Sequence, residues 1–287
     1  MPEGDTISKL ARYLEPALQE RELVAGYVRT AESVDLAGSR IGRVFSRSKH
    51  LFIELGDERL LRSHLGMRGS WHVYAPGESW RKPRRQASIL LDTGERVFIC
   101  FNAVAVEILR RSGVRRRVLD AALGPDLLVD PVDHESILQR ARDMADGNTP
   151  VLDVLLDQRL VCGIGNVYKS EVLFLAGCHP ETPLGQLSDA CITGIYRLAS
   201  RLLGRNTRDG PRVTRMANDD AARLWVYGRV GLPCLECDAV IRAARLGEDR
   251  RSTYWCPDCQ AALTTTGSLP GCPKIQPLLQ LPPKLKS

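Results

Sequence analysis

No stretch of the 287-residue sequence approaches the roughly 18 uncharged apolar residues of a membrane-spanning helix, which excludes a helical membrane anchor. The start, Met-Pro-Glu-Gly-Asp, lacks the basic and then apolar order of a secretory signal, so a cytoplasmic protein is expected. No long-period repeat is present, and this excludes a solenoid. What remains, 44% hydrophobic and 26% charged residues, is ordinary for a soluble globular chain of about two domains. The net charge is only +6, but it is unevenly spread. Gly77 to Arg117 holds ten basic and four acidic residues, and Thr193 to Val230 holds eight and three. Two such regions suit a nucleic-acid footprint; a solvated Arg-rich surface is the plainer reading of charge alone.

Apolar residues Ile7, Leu10, Ala11, Leu14, Ala17 and Leu18 follow helical spacing, with Asp5 or Thr6 placed to cap the first turn. From Glu22 to about Leu109 short Val/Ile/Leu/Phe runs alternate with glycine turns, which reads as an antiparallel sandwich or barrel. Arg110 to Asp133, basic and then broken by Gly and Pro, reads as a domain boundary. Helices are expected near 134–145, 150–160, 166–176, 188–204 and 218–226, with Asn166 and Ser188 as N-caps and Gly177 past a C-terminus. A cysteine-bearing module follows from Gly231. The last twenty residues, with five Pro, three Lys and no acid, read as a disordered tail.

Four of the nine cysteines form two knuckles, Cys234-x2-Cys237 and Cys256-x2-Cys259, separated by eighteen residues. Each knuckle supplies two thiolates to one tetrahedral ion, and the span suits a hairpin turning near Gly247-Glu248-Asp249. Four soft thiolates leave no open position, so one structural zinc is expected, with an iron–sulfur or redox dithiol site as the alternative. Cys100, Cys162, Cys178, Cys191 and Cys272 read as buried fillers or, for the last, a tail residue.

The turn Val161-Cys162-Gly163-Ile164-Gly165-Asn166 fails as a dinucleotide fingerprint, because it follows a helix and Tyr168 stands where a third Gly is needed. Gly163 and Gly165 still allow close backbone approach to a ligand, and the helix start that follows suits a phosphate, with Asn166 as cap or donor. A bare inter-helix turn is the alternative. At the chain start, removal of Met1 leaves Pro2 as a secondary amine with a neutral fraction at pH 7. Such an amine can attack a sugar C1′ to give an iminium that permits elimination, and Glu3 beside it can serve as the acid.

The opening Pro2-Glu3-Gly4, the run Arg47-Ser48-Lys49-His50-Leu51, the turn Ser63 to Gly69, the block Leu156 through Gly163-Ile164-Gly165-Asn166 to Glu171, and the four-cysteine module occur in one order. This order resembles the formamidopyrimidine-DNA glycosylase and endonuclease VIII family over about residues 2–262, above all the actinobacterial second-type endonuclease VIII proteins that begin Pro-Glu-Gly-Asp. The resemblance implies an α+β multidomain enzyme. A catalytic β-sandwich with flanking helices would span 1–120, a helix-two-turn-helix DNA-binding domain 121–228, a zinc ribbon or finger 229–265 and a tail 266–287, with damaged DNA as partner.

It further implies a monomer, acting at the nucleoid, that removes oxidised bases, pyrimidines above all, and cuts the strand by β,δ-elimination. Pro2 would be the Schiff-base nucleophile, Glu3 the general acid and Lys49 a phosphate-contacting cation. Asn166 and Arg251 would grip the phosphates flanking the lesion, with the turn of Gly163 and Gly165 beside them. Met67 would wedge into the gap left by the flipped nucleotide, and Glu171 would match an acidic position at the DNA. Taken singly, Met67 reads as core, Lys49 as a snorkelling strand residue and Arg251 as a partner of Asp249.

Three departures limit the substrate reading. Asn102-Ala103-Val104-Ala105-Val106-Glu107 replaces the Arg- and Phe-containing segment with which the purine-acting branch reads the opposite base. Thr6 replaces a glutamate of both main branches, and the finger span is eighteen residues instead of sixteen. A purine-lesion (8-oxoguanine) glycosylase and a non-catalytic zinc-ribbon protein that binds damaged or single-stranded DNA are the alternatives.

Overall fold

The computed structural model describes residues 2–29, 34–56, 58–130, 133–215, 219, 221–262 and 274. The chain divides into two compact units, Met1–Ala122 and Leu123–Ser287. The expected tail over 266–287 lies, Lys274 apart, outside the described residues, as does Cys272.

The first unit opens with α1 (Gly4–Leu18) and continues as nine strands: β1 (Ala25–Val28), β2 (Val34–Asp35), β3 (Ile41–Arg47), β4 (His50–Leu55), β5 (Arg59–His64), β6 (Ser70–Tyr74), β7 (Ala87–Asp92), β8 (Val97–Phe101) and β9 (Ala105–Arg110). They form two antiparallel sheets, ordered β2-β1-β7-β8-β6 and β3-β4-β5-β9. One apolar cluster joins both sheets to α1: Leu14 and Leu18 of the helix meet Ile53 and Leu61 of one sheet and Ile89 and Phe98 of the other. Each such side chain contributes roughly 1.5–3 kcal/mol by leaving water. That shared burial makes the unit a sandwich with α1 packed against β3 and β4.

The cap of α1 is Glu3, whose carbonyl accepts from the Thr6 and Ile7 N–H groups, and not Asp5 or Thr6, which already lie inside the first turn. The segment expected to be a boundary contains a helix, α2 (Val114–Ala121). It belongs to the sandwich: Leu119 packs on Phe52, Leu60 and Leu109, and the Arg116 guanidinium lies 4.5 Å from the Phe52 ring centroid.

The second unit contains α3 (His134–Met144), α4 (Val151–Leu156), α5 (Asn166–Ala176), α6 (Asp189–Arg205) and the ribbon β10 (Arg242–Leu246) with β11 (Arg251–Trp255). Ser188 caps α6 by accepting from the Cys191 N–H, and Gly177 closes α5 in the left-handed conformation. Helix α4 stops at Leu156 and not near 160, because Asp157 turns away at ψ 103° and its carboxylate takes the Arg159 N–H. The helix expected near 218–226 is absent among the described residues, 219 and 221–226 being irregular. In its place, the N–H groups of Trp225, Val226 and Tyr227 all donate to the carboxylate of Glu171. Those donors are therefore lost to a helical ladder.

Candidate functional site

Pro2 and Glu3 precede the first turn of α1, and α1 packs on the two strands, β3 and β4, that flank Lys49. Glu3 is fully buried and Pro2 half-buried. Lys49 sits at the tip of a two-residue hairpin closed by the Arg47–His50 pair, with Ser48 at φ 56°. A positive φ at the first turn residue matches the twist of the flanking strands. Lys49 is thus a turn residue, held at one end of the sheet, and not a snorkelling strand residue.

Next to Lys49 lies a polar cluster on the outer face of β4, β5 and β9. Arg62 Nη1 reaches Glu107 at 2.5 Å and Arg62 Nη2 reaches His50 Nδ1 at 3.2 Å, while Arg115 holds the other Glu107 oxygen at 2.9 Å. Burial, Arg62, His64 and Lys49 together push the His50 imidazole down to about 3, and burial followed by Arg62 and Lys49 lowers His64. Both rings are therefore neutral at pH 7. Burial works against ionisation of Glu107, but Arg115 and Arg62 outweigh it and hold the carboxyl below its ordinary value. Sequence reading missed this cluster, although the β4–β5 and β5–β9 registers, His50↔His64 and Arg62↔Glu107, place its members on one face.

Met67 is 81% exposed, which overturns a core role. It projects from the turn between β5 and β6, closed by the Gly69 N–H on the Leu65 carbonyl. Val104, on the short β8–β9 connection, is also exposed and lies against that turn, 3.1 Å from where a Cβ on Gly66 would stand. Each loop thus presents one exposed apolar side chain. Thr6, the departure in the first turn, directs its hydroxyl to the buried Asp5 carboxylate at 3.3 Å.

In the second unit the glycine turn is held from inside. Gln158 donates to the carbonyls of Leu156 and Ile164 and accepts from the Gly163 N–H. Gly163, at φ 107°, adopts a conformation that a side chain would strain, whereas Gly165, at φ −134°, is extended. Gly165 is the N-cap of α5 and Asn166 its first helical residue, which corrects the expected cap; Asn166 Oδ1 is buried with no hydrogen-bond partner among the described residues. Arg251 is exposed at the start of β11, and its guanidinium holds Asp249 at 2.9 Å. The ion pair expected from sequence is present, and it fixes the guanidinium above the hairpin turn.

Glu171 requires a correction. It is 0% exposed, and besides the three N–H donors at 2.8–2.9 Å it accepts from the Thr214 hydroxyl. A carboxylate so enclosed organises the segments around 214 and 225–227 from within.

The Sγ atoms of Cys234, Cys237, Cys256 and Cys259 lie within 4.8 Å of one another, with closest pairs of 3.4–3.9 Å. Thiolates around one tetrahedral ion with ~2.3 Å bonds stand about 3.8 Å apart, so the four residues fit a single metal. Cys100 and Cys178 are buried free thiols outside this cluster, and Cys162 is buried in the glycine turn.

A sandwich that opens Pro-Glu, followed by a helical unit carrying a four-thiolate ribbon, has the domain order of the DNA glycosylases that the sequence resembles. Comparison with known proteins gives the same class. Residues 1–104 match the formamidopyrimidine-DNA glycosylase N-terminal domain and residues 123–216 the H2TH domain of that enzyme. The chain is 41% identical over 268 residues to the probable endonuclease 8 2 of Streptomyces coelicolor, covering 91% of this chain and 94% of that one. It is 38% identical over 264 residues to the DNA-(apurinic or apyrimidinic site) lyase Nei2 of Mycolicibacterium smegmatis, covering 91% and 100%. Among solved structures, Lactococcus lactis formamidopyrimidine-DNA glycosylase non-covalently bound to DNA containing an abasic site superposes with a TM-score of 0.76 at 25% identity, covering 91% and 100%. The chain belongs to the formamidopyrimidine-DNA glycosylase family.

Proposed function

We propose that this chain is a bifunctional DNA glycosylase and abasic-site lyase of base excision repair that removes oxidised bases, pyrimidines in preference. The observation that carries the reading is the placement of Pro2 and Glu3 immediately before the helix that packs against both strands of the Lys49 hairpin, in a chain 41% identical to a probable endonuclease 8 2. The Pro2 nitrogen attacks C1′ as the damaged base departs with its bonding electrons and takes up a proton; the nitrogen loses its own proton, and cleavage of the C1′–O4′ bond with protonation of O4′ then leaves an open-chain iminium. Loss of a C2′ proton then expels the 3′-phosphate, and a second elimination expels the 5′-phosphate. Glu3, buried beside Pro2, supplies and takes back protons, and Lys49 sits at the phosphate.

In the second unit Asn166, the turn of Gly163 and Gly165, and Arg251 grip phosphates, and in the first Met67 fills the place of the extruded nucleotide. The four cysteines hold one zinc ion, which fixes the ribbon and leaves no open position for catalysis. Absence of base-reading arginines between Asn102 and Glu107 supports the pyrimidine preference. No described helix is long and apolar enough to cross a membrane, and the reading is of a monomer at work on DNA in the bacterial cytoplasm. The test is cleavage of a lesion panel with borohydride trapping. Thymine glycol, dihydrouracil and abasic sites should give trapped complexes faster than 8-oxoguanine. Binding without cleavage of any of them contradicts the enzyme, and faster 8-oxoguanine excision contradicts the pyrimidine preference.

A further inference from the structure

Helix α5 is buried at ten of its eleven positions, yet three consecutive residues in it, Lys169, Ser170 and Glu171, are polar. Apolar side chains of similar volume would pack there at lower cost, because a buried ammonium forfeits several kcal/mol of hydration unless it is well bonded. Lys169 is 0% exposed, and its Nζ donates to Thr253 Oγ1 at 2.7 Å and to the Ser252 carbonyl at 3.2 Å. The Thr253 hydroxyl in turn donates to the Arg251 carbonyl at 3.1 Å. At its other end Lys169 gives its own N–H to the Gly165 carbonyl at 2.8 Å. An unbroken chain of hydrogen bonds therefore runs from the glycine turn through one lysine to the backbone of Arg251.

The hairpin is seated on the helices at other points as well. The Glu248 N–H faces both Asp153 oxygens at 3.3 Å, and a Cβ on Gly247, itself at φ 75°, would fall 2.2 Å from Asp153 Oδ1. The Tyr254 N–H reaches Ser170 Oγ at 3.4 Å, and Gln260 Nε2 reaches the Cys178 carbonyl at 2.8 Å. These contacts hold the ribbon as a body. The Lys169 side chain joins the first turn of α5, next to Asn166, to the residue chain that begins at Arg251.

We infer that Lys169 is a positioning residue: it sets the spacing between the Asn166 turn and Arg251, so that the two grip the DNA backbone as one device. This rests on the proposal that both are phosphate grips. The test is a double-mutant cycle on full-length, zinc-loaded protein, binding a duplex with a tetrahydrofuran abasic analogue over a salt series. Arg251→Ala is expected to weaken binding about tenfold and to lower the log–log salt slope by about 0.9, one phosphate. Lys169→Met, apolar and of similar length, is expected to retain zinc and to reproduce most of both changes. The double variant should then fall within about twofold of Arg251→Ala, since the second substitution removes what the first has already lost.

Multiplying losses, or an unaltered slope in Lys169→Met with zinc retained, overturn the role of Lys169 while leaving the grips in place. No effect of Arg251→Ala overturns the grip itself and the inference with it. Should Lys169→Met lose zinc or its melting transition, Thr253→Val carries the same cycle, because it deletes the relay and keeps the lysine. Expected there is the same loss of slope, and again multiplicative losses overturn the inference.

Discussion

In the first unit the groups proposed to react stand on ends and turns: Pro2 and Glu3 before α1, Lys49 at a hairpin tip, Met67 on an exposed loop. In the second, the groups proposed to hold DNA are linked through the interior, by Gln158 to the glycine turn and by Lys169 to the ribbon. The difference follows from what each task needs. A nucleophile must reach an unstacked sugar, which favours residues at the edge of a rigid sheet. Grips on a stiff, charged backbone must keep their spacing, which favours a frame of buried polar bonds. Substitutions in the first set should therefore change rate with little change in stability, and those in the frame should change stability or affinity first.

The largest effect is expected for Pro2→Gly, which removes the secondary amine: borohydride should trap no complex on thymine-glycol DNA, with the melting temperature unaltered. Glu3→Gln comes next, lowering single-turnover excision by about 10²–10⁴-fold, the range for a lost general acid. A fall in stability with no fall in rate would mean that Glu3 serves only to start the helix.

In the frame, stripping the metal with a chelator, or Cys256→Ser, should abolish the ribbon's folding transition in calorimetry and with it DNA binding. Glu171→Gln should cost about 1.5–3 kcal/mol, the worth of hydrogen bonds to a charged group, and expose the segment around 225–227 to protease. A stable, protease-resistant Glu171→Gln with impaired binding would instead return that residue to the DNA face and break the comparison.

Much of this was legible in the sequence because its signals are local. Cysteine spacing gives the ribbon, alternating apolar runs give the sheets, and the left-handed Gly177 follows from short-range chemistry, whereas the turn at Ser48-Lys49 lies inside a run that reads as strand. What was not legible depends on partners far along the chain. Residues 218–226 have helical spacing, but three N–H groups after Leu224 are drawn to Glu171, more than fifty residues earlier. Helix α2 was hidden by Arg115, Arg116 and Arg117, whose polarity masks a contact made by Leu119 and by the stem and guanidinium of Arg116. Glu171 was matched to DNA by motif alone; only the fold shows its oxygens filled. Arg251 satisfied its plain reading and its functional one at once, since the pair with Asp249 orients the group proposed to bind phosphate.

The last predicted effect is confined to acid pH and concerns stability. His50 titrates near 3 when folded and near 6.5 when unfolded, so the unfolded chain binds a proton that the folded one refuses. Its contribution is complete above pH 6.5, is lost as the pH falls from there to about 3, and is flat below. His50→Asn should make the stability curve shallower in that window and leave it unaltered above pH 7.

The most direct measurement is peptide mapping of the borohydride-reduced complex with lesion DNA. The sugar remnant should be found on the Pro2 nitrogen of a chain that has lost Met1. A remnant on Lys49 or any other lysine, or full turnover by protein that retains Met1, would contradict the account.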